Sequence, residues 1–443
     1  MLGILGHGSA REHMCFLRLG AECGDDLRFY QIGANPAVAR DPRSVDVTTE
    51  RHGDIADRIH EDGIEALMVT DAFLLQSDMV DTCISHGIRV LAPSRHAAKI
   101  EDRKSLTKRM VSQAGVPTPE GWHVTSAKEA KDLLRANWRD GKRYVVKADA
   151  LIADAVHRAM VPETLEESER DVDEELDALI AAHVEPALVI ERRVDGFETS
   201  VHVVWDGESY ILLPPVRDYK RVGDGDTGQN TYGAASLACG RGFDPALERQ
   251  LRERIIEPTL AKLAQEGYAY RGFVYFGVML LEDGPTLLEI NVRPGNPEFV
   301  ALLGLLNSSF RDLVVHAAEG SLHKVRVEWR EDSYCGAVFA MAAGYPEVMD
   351  PDTVPIAGLE EALLTGQVVL EDVAETDDGT LVVAGGRVAA SVVVAPSIGK
   401  ARQAALEALS RIRFEGMHFR SDLGYGIDAR LFAADDDAGS ASP

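Results

Sequence analysis

The chain is poor in the features that mark redox, secreted or nucleic-acid-binding proteins. Its five cysteines, Cys15, Cys23, Cys83, Cys239 and Cys335, are odd in number and include no C-x-x-C pair. That argues against a disulfide frame or a thiolate zinc site and fits reduced thiols. Positive charge is also scarce, with 46 Lys and Arg against 72 Asp and Glu for a formal net charge of −26. Such a balance disfavours a general nucleic-acid or anionic-membrane binder, so any anionic ligand needs a local basic site. No apolar run approaches the roughly 20 residues of a membrane span, and residues 273–281 are a typical stretch with the length of a strand. The opening MLGILGHG has no basic segment before its apolar residues, so no signal peptide and a cytoplasmic location are expected. GHGSA at residues 6–10 lacks the third glycine of a dinucleotide fingerprint, and no acidic residue ends the next strand near residues 31–33.

What is present is enough apolar surface for several cores. With 443 residues and 45 % hydrophobic content, the length favours two to four domains of roughly 100 to 200 residues. Strands expected at residues 2–5, 27–32, 66–69 and 88–91 alternate with amphipathic segments, the signature of a parallel sheet. Such a sheet receives its ligand at the glycine-bearing turn after the first strand. A basic helical pattern over 97–113 closes at the breaker GVPTP, and a domain boundary is expected near residue 100. Beyond it the pattern is strand-rich α+β, with a strand at 144–147, an acidic helix over 163–182, and hairpins turning at Asp206-Gly207 and Asp283-Gly284. A polar loop is expected from 214 to 238 and a helix over 245–267. Further strands follow at 334–342, 366–370, 380–384 and 387–394, then a helix at 398–412 and a low-complexity tail.

Two segments carry the chemistry. In LLEINVRPGNPE, residues 287–298, Glu289 and Asn291 are two apart on a strand and share a face, placing a carboxylate beside an amide oxygen. Such a pair suits magnesium, which takes oxygen ligands and commonly bridges substrate phosphates. Arg293 follows on that face, where its guanidinium fork suits phosphate oxygens. Glu282, at the end of the preceding strand, is a further candidate metal ligand, although acidic residues beside D-G turns are common on any surface. The second segment is RDYKRVGDGDTGQNTYGAAS, residues 217–236, which reads as a loop wrapping a charged small ligand. Within it Lys220 and Arg221 suit phosphate, Asp224 and Asp226 suit an amine or a metal-bound ligand, and Asn230 and Thr231 can hydrogen-bond either. His7, His13 and His202 lack partners at metal spacing and are expected in turns, core or surface.

The order of GHGSAREHM, KIEDRKSLTKRM, YVVKAD, VIERRVDGFETS, YKRVGDGDTGQNTYG and LEINVRPGNPE resembles the phosphoribosylamine–glycine ligase family of ATP-grasp enzymes. The likeness runs to Asp428 and includes HFRSDLGYGID. It implies an α/β and α+β multidomain protein. A Rossmann-like domain over 1–100 would precede an ATP-grasp domain over 101–324 with a lid at about 120–188. A small mixed C-terminal domain over 325–430 and a disordered tail over 431–443 would follow. By the same resemblance Lys104 and Lys147 contact ATP phosphates, and Glu191 lies in the adenine-reading hinge. Glu198 lies near the ribose or orients Lys147, Glu289 and Asn291 hold Mg2+ or Mn2+, and Arg293 steadies an acyl phosphate. Gly8, Arg11, Glu12 and the loop at 226–230 receive the amine and carboxylate substrates, with Asp226 and Lys220 counted among the catalytic groups. The implied activity is ATP-dependent amide formation in purine biosynthesis, from phosphoribosylamine and glycine, with small molecules as the partners and a monomeric or homodimeric state.

The sequence departs from that family in places that bear on function. Lys147 is followed by ADALIADAV, with no glycine and no second lysine where the family has a glycine-rich loop over the ATP phosphates. This bears on ATP affinity and lid closure. The N-G-G-M-type stretch is here Asn230-Thr231-Tyr232-Gly233, a G-P-E segment is Val69-Thr70-Asp71-Ala72, and R-F-G-D-P-E is Arg293-Pro294-Gly295-Asn296-Pro297-Glu298. Two alternatives therefore stand beside the family's activity: a paralogous ATP-grasp amide ligase with another substrate pair, and a nucleotide-binding protein without catalysis.

Overall fold

Of five short strands at the amino terminus, the first, fourth and fifth are apolar and buried throughout, as expected where helices cover both faces of a parallel sheet. The five are β1 (Leu2–Gly6), β2 (Leu27–Gln31), β3 (Ser44–Asp46), β4 (Ala66–Val69) and β5 (Val90–Leu91). All neighbours are parallel, in the order β3-β2-β1-β4-β5. The computed structural model describes residues 1–33, 35–139, 142–150, 159–346 and 354–431. Residues 151–156 of the segment after Lys147, and 432–443 of the expected tail, lie outside the described residues. The expected alternation of strand and helix is present, and β3, three residues long and half exposed, is an addition. Helix α1 (Ala10–Cys23) leaves β1 through a turn that Ser9 and Glu12 close as a capping box.

A smaller antiparallel sheet follows, with β6 (Gly121–Val124), β7 (Tyr144–Ala148) and β8 (Leu188–Arg192) in the order β6-β8-β7. Helices Ala127–Asn137 and Leu165–Ala181 pack on it around a core of its own that includes Leu134, Val146, Val172 and Ile190. The acidic helix forms as expected. Thr164 caps it, and Val172, Leu176 and Leu179 make the buried stripe. Its acids pair outward, Glu169 with Arg135 and Asp173 with Lys131.

The largest sheet contains β9 (Phe197–Trp205), β10 (Tyr210–Leu212), β11 (Val216–Gly223), β12 (Thr227–Cys239), β13 (Gly272–Leu281), β14 (Gly284–Asn291), β15 (Tyr334–Met341) and β16 (Val368–Leu370). A separate pair, β17 (Val373–Glu375) and β18 (Leu381–Val383), precedes its last member, β19 (Arg387–Ala395). The order is β14-β13-β9-β11-β12-β15-β19-β16, with β10 on β9. The C-terminal strands thus continue the sheet that carries β14 instead of forming one apart.

One expectation is corrected here. Residues 214–238 are not a loop. They hold β11 and β12, antiparallel and joined through Asp224–Asp226. Tyr219, Ala235 and Leu237 enter one core and Val216, Ala234 and Ala238 another, while Asp218 and Lys220 alternate with Tyr219 along β11. The density of polar residues hides this period. No helix among the described residues is long and apolar enough to cross a membrane.

Candidate active site

The antiparallel register of β9, β13 and β14 assembles a polar patch on one face of the large sheet. Gly277 lies opposite both Ser200 and Glu289, and Tyr275 lies opposite His202 and Asn291. A Cβ at Gly277 would come within 2.8 Å of Glu289 Cγ, so glycine lets that carboxylate lie across the strand. The β13–β14 register shifts between Gly277 and Val278, leaving Leu288 as a bulge. The Leu288 carbonyl accepts a hydrogen bond from Lys147 Nζ at 3.3 Å. A cleft bounded by Glu101, Lys104, Lys108, Lys147, Glu191, Glu289 and Asn291 results.

Charge in the cleft is held in pairs. Glu191 accepts from Lys147 Nζ at Oε2 and from Lys108 Nζ at Oε1, each at 2.6 Å. Burial works to raise the Glu191 pKa, but the two ammonium groups outweigh it and hold the carboxyl below its ordinary value. Burial likewise opposes the charge on Lys147, and Glu191 and Glu289 reverse that effect. Lys220 donates to Glu198 Oε1 at 2.5 Å and stands 3.6 Å from Glu289 Oε1. Burial would neutralise Glu289, yet Lys220, Lys147, Lys104 and Arg293 lower its pKa and keep it ionised. Among the described residues Lys104 lines the cleft without an ion-pair partner. Arg293 Nη2 meets Glu101 Oε1 at 2.9 Å, and Glu101 Oε2 also accepts from Val292 N at 3.0 Å.

Behind this cleft lies the turn between β1 and α1. Glu12 Oε2 accepts from Gly8 N at 2.8 Å and Ser9 N at 3.1 Å, so its carboxylate closes its own turn. Arg11 donates to Pro294 O at 2.7 Å and Thr70 O at 2.5 Å, tying the end of β4 to the segment after β14. Several buried polar atoms here have no hydrogen-bond partner among the described residues: Arg11 Nε, Arg293 Nε, Asp218 Oδ1 and Asn296 Oδ1. Unpaired groups in such numbers mark a place where ligand or water completes the bonding.

The structure therefore brings Lys104, Lys147, Glu191, Glu198, Lys220, Glu289, Asn291 and Arg293 together, with Gly8, Arg11 and Glu12 at the neighbouring turn. Of the remaining sequence candidates, Asp226, Asn230 and Thr231 are engaged elsewhere and Glu282 lies apart. Asp226, at φ +54°, pairs with Arg217 at 2.8 Å and Arg420 at 2.6 Å, so its carboxylate fastens the β11–β12 tip to the C-terminal segment. Glu282 is exposed in the two-residue turn between Leu281 and Gly284, five residues along β13 from Gly277 and hence roughly 16 Å from the Glu289 position by strand rise. It is no partner for Glu289. Thr231 spends its hydroxyl on Lys220 O at 2.8 Å, and Asn230 Nδ2 reaches Ala159 O at 3.4 Å.

Other residues were not singled out in the sequence. Lys108 is four positions after Lys104 and so shares its helix face, a signal that spacing alone carried. Glu298 is buried and Asp218 half-buried with its Oδ1 enclosed, and both pKa values are raised, by burial first and then, for Asp218, by Glu298. Glu298 Oε1 accepts from Ser200 Oγ at 3.0 Å. Nothing local distinguishes them from surface acids. The histidines behave as expected: His13 and His202 are buried, and His7 pairs with Asp71 at 2.9 Å in the turn.

No cluster of three or more His, Cys, Asp or Glu side chains among the described residues is arranged to hold a metal. An ionised Glu289 with Asn291 on the same face fits a divalent ion that takes its other oxygens from substrate and water.

The profile of the phosphoribosylglycinamide synthetase ATP-grasp (A) domain matches residues 102–299, and that of the C domain of the same synthetase matches residues 335–426. The phosphoribosylamine–glycine ligase of Rhizobium meliloti is 34 % identical over 96 % of this chain and 98 % of its own length. The crystal structure of phosphoribosylamine–glycine ligase from Thermotoga maritima superposes with a TM-score of 0.77 at 29 % identity, covering 95 % of this chain and 99 % of that one. Biotin carboxylase from Campylobacter jejuni shares the fold, with a TM-score of 0.68 at 18 % identity over 94 % of this chain and 92 % of its own.

Proposed function

This chain belongs to the phosphoribosylamine–glycine ligase family of ATP-grasp enzymes, and from that premise we propose that it joins a carboxylate to an amine at the expense of ATP. A carboxylate is a poor electrophile at neutral pH. Phosphoryl transfer to its oxygen releases ADP and leaves an acyl phosphate. The amine nitrogen then forms the C–N bond as the C–O bond to phosphate breaks, and an amine proton passes to solvent. Phosphoribosylamine and glycine, named by the relatives, are the first pair to test.

The observation that supports this reading most is the ionised Glu289 beside Asn291, facing Lys147, Lys220 and Arg293 across one cleft. Lys147, braced by Glu191, and Lys104 are assigned to nucleotide phosphates. Glu289 and Asn291 would hold a divalent cation, which when bound neutralises phosphate charge. Arg293, oriented by Glu101, is assigned to the developing acyl phosphate, and Lys220 to charge beside Glu289. Gly8 and Arg11 stand on the acceptor side, where Glu12 shapes the turn. A second reading, another amine or amino acid, draws on Asp71, which pairs with His7 where the family carries G-P-E.

ADP release is to be followed with Mg2+, ATP, glycine and freshly generated phosphoribosylamine, then with other amines and amino acids, with products identified by mass spectrometry. Glu289→Ala is expected to abolish turnover while leaving the thermal unfolding midpoint nearly unchanged. Failure to release ADP with every pair, together with no ATP binding by calorimetry, defeats the ligase reading.

A further inference from the structure

The amino terminus of α1 stands at the carboxyl edge of the parallel sheet, between β1 and β4, where the strand order reverses. A ligand anion is ordinarily received at such a place by free backbone amides. In this chain the position is filled from within. Ala10 N donates to Glu371 Oε2 at 2.5 Å. The same carboxylate accepts from Asn296 Nδ2 at 2.9 and 3.0 Å and from Arg387 Nη2 at 2.8 Å.

A helix amino terminus, a side-chain amide and a guanidinium together form the donor set of a phosphate cradle. The Glu371 side chain is only 9 % exposed and that of Arg387 11 %, so the set is enclosed and its charge is met. Arg387 also donates to Asn296 O at 2.8 Å and Tyr232 O at 2.7 Å, which fixes the cradle from two more sides. The remaining amides of the turn are committed too, since Gly8 N and Ser9 N bond Glu12. Asp71 adds a third carboxylate beside the turn, paired with His7. A phosphate dianion arriving here meets three carboxylates and none of the amides from Gly8 to Ala10 vacant.

We infer that Glu371 is a specificity-determining residue that stands in the place of a substrate phosphate, so that this chain's acceptor amine is bound without a phosphate at the α1 cradle. The acceptor class is then a small primary amine for which a phosphate contributes little to recognition. The part about the acceptor rests on the ligase reading; the occupancy of the cradle does not.

Two measurements separate the two. Inorganic phosphate titrated into the full-length protein by calorimetry is expected to show, for the wild type, no saturable binding that Arg387→Ala removes. Glu371→Ala, which vacates the cradle, is expected to bind phosphate, and adding Arg387→Ala is expected to remove that binding. Glu371→Gln keeps the shape without the charge, and its weaker phosphate binding serves if the alanine variant does not fold. Saturable phosphate binding by the wild type that Arg387→Ala abolishes overturns the inference. In the second measurement, ADP release is compared for phosphoribosylamine and unphosphorylated ribosylamine with glycine. The wild type is expected to differ by less than about threefold in kcat/KM, against the far larger discrimination of a site built to bind the missing group. A preference of about a hundredfold or more for the phosphorylated amine overturns it. Absence of ADP with either amine counts against the ligase reading alone, and the phosphate titration then decides on Glu371.

Discussion

Glu191 holds two ammonium groups at once, and both lysines are largely withdrawn from water, with side-chain exposures of 9 % for Lys147 and 13 % for Lys108. A buried pair is costly to assemble and costlier to break, because the surviving charges have no water to replace the lost partner. Glu191→Ala is therefore expected to destabilise the fold by about 3–5 kcal/mol, measured by urea unfolding at pH 7. Glu191→Gln, which retains one acceptor oxygen, is expected to cost less. The resemblance puts Glu191 in a hinge that reads adenine through its backbone; the structure shows its side chain bracing the cleft's lysines. That task was hidden because it depends on Lys108 and Lys147, 83 and 44 positions away.

Among the elements, β14 and the β11–β12 hairpin set the geometry. Gly277→Ala would drive a methyl group into Glu289, and turnover is expected to fall about a hundredfold, as for a misplacement of roughly 1 Å, with little change in melting temperature. A steady-state assay beside differential scanning fluorimetry checks both. At the hairpin tip, Arg420 is fully buried, bonds both Asp226 and Asp422, and lies 4.8 Å over the Tyr219 ring. Arg217 covers the same ring at 4.5 Å. A double-mutant cycle on Asp226→Ala and Arg420→Ala is expected to give a coupling energy of about 1–3 kcal/mol in unfolding experiments. In the sequence the hairpin reads as a loop because its glycines and acids resemble turn chemistry. What makes it strand is burial of alternate residues between β9 and β15, which depends on neighbours far along the chain.

For the whole molecule, two buried histidines lie where separate parts meet. His13 Nδ1 on α1 accepts from Leu370 N of β16, and His202 Nε2 on β9 accepts from Gly295 N. Burial pushes their pKa values down to about 4 and about 3. Unfolded, each histidine takes a proton near its ordinary value of 6.5. Between the two values the unfolded state binds more protons, so this contribution to stability is complete above pH 6.5 and is lost as pH falls. For His13 the full effect is roughly 3 kcal/mol. The acids Asp218 and Glu298, whose pKa values desolvation raises, act in the opposite sense, so the informative quantity is a difference between proteins. His13→Asn is expected to melt with a shallower loss between pH 7 and pH 4.5 than the wild type, measured by scanning calorimetry.

The amino-acid sequence by itself determined the parallel sheet, the acidic helix, the β13–β14 hairpin and the pairing of Glu289 with Asn291 on one face. Each of these depends on periods of two or 3.6 residues and on nearby turn chemistry, which a short window of chain contains. Its ordered motifs also determined the family. Only the tertiary structure decided that Asp226 serves the fold, that Glu282 lies far from Glu289, that Lys108 shares Glu191 with Lys147, and that Glu371 fills the α1 amino terminus. Those outcomes depend on which charged groups meet after burial. A side chain removed from water must find its partner wherever the packing brings one, and in these cases the partner is tens to hundreds of residues away.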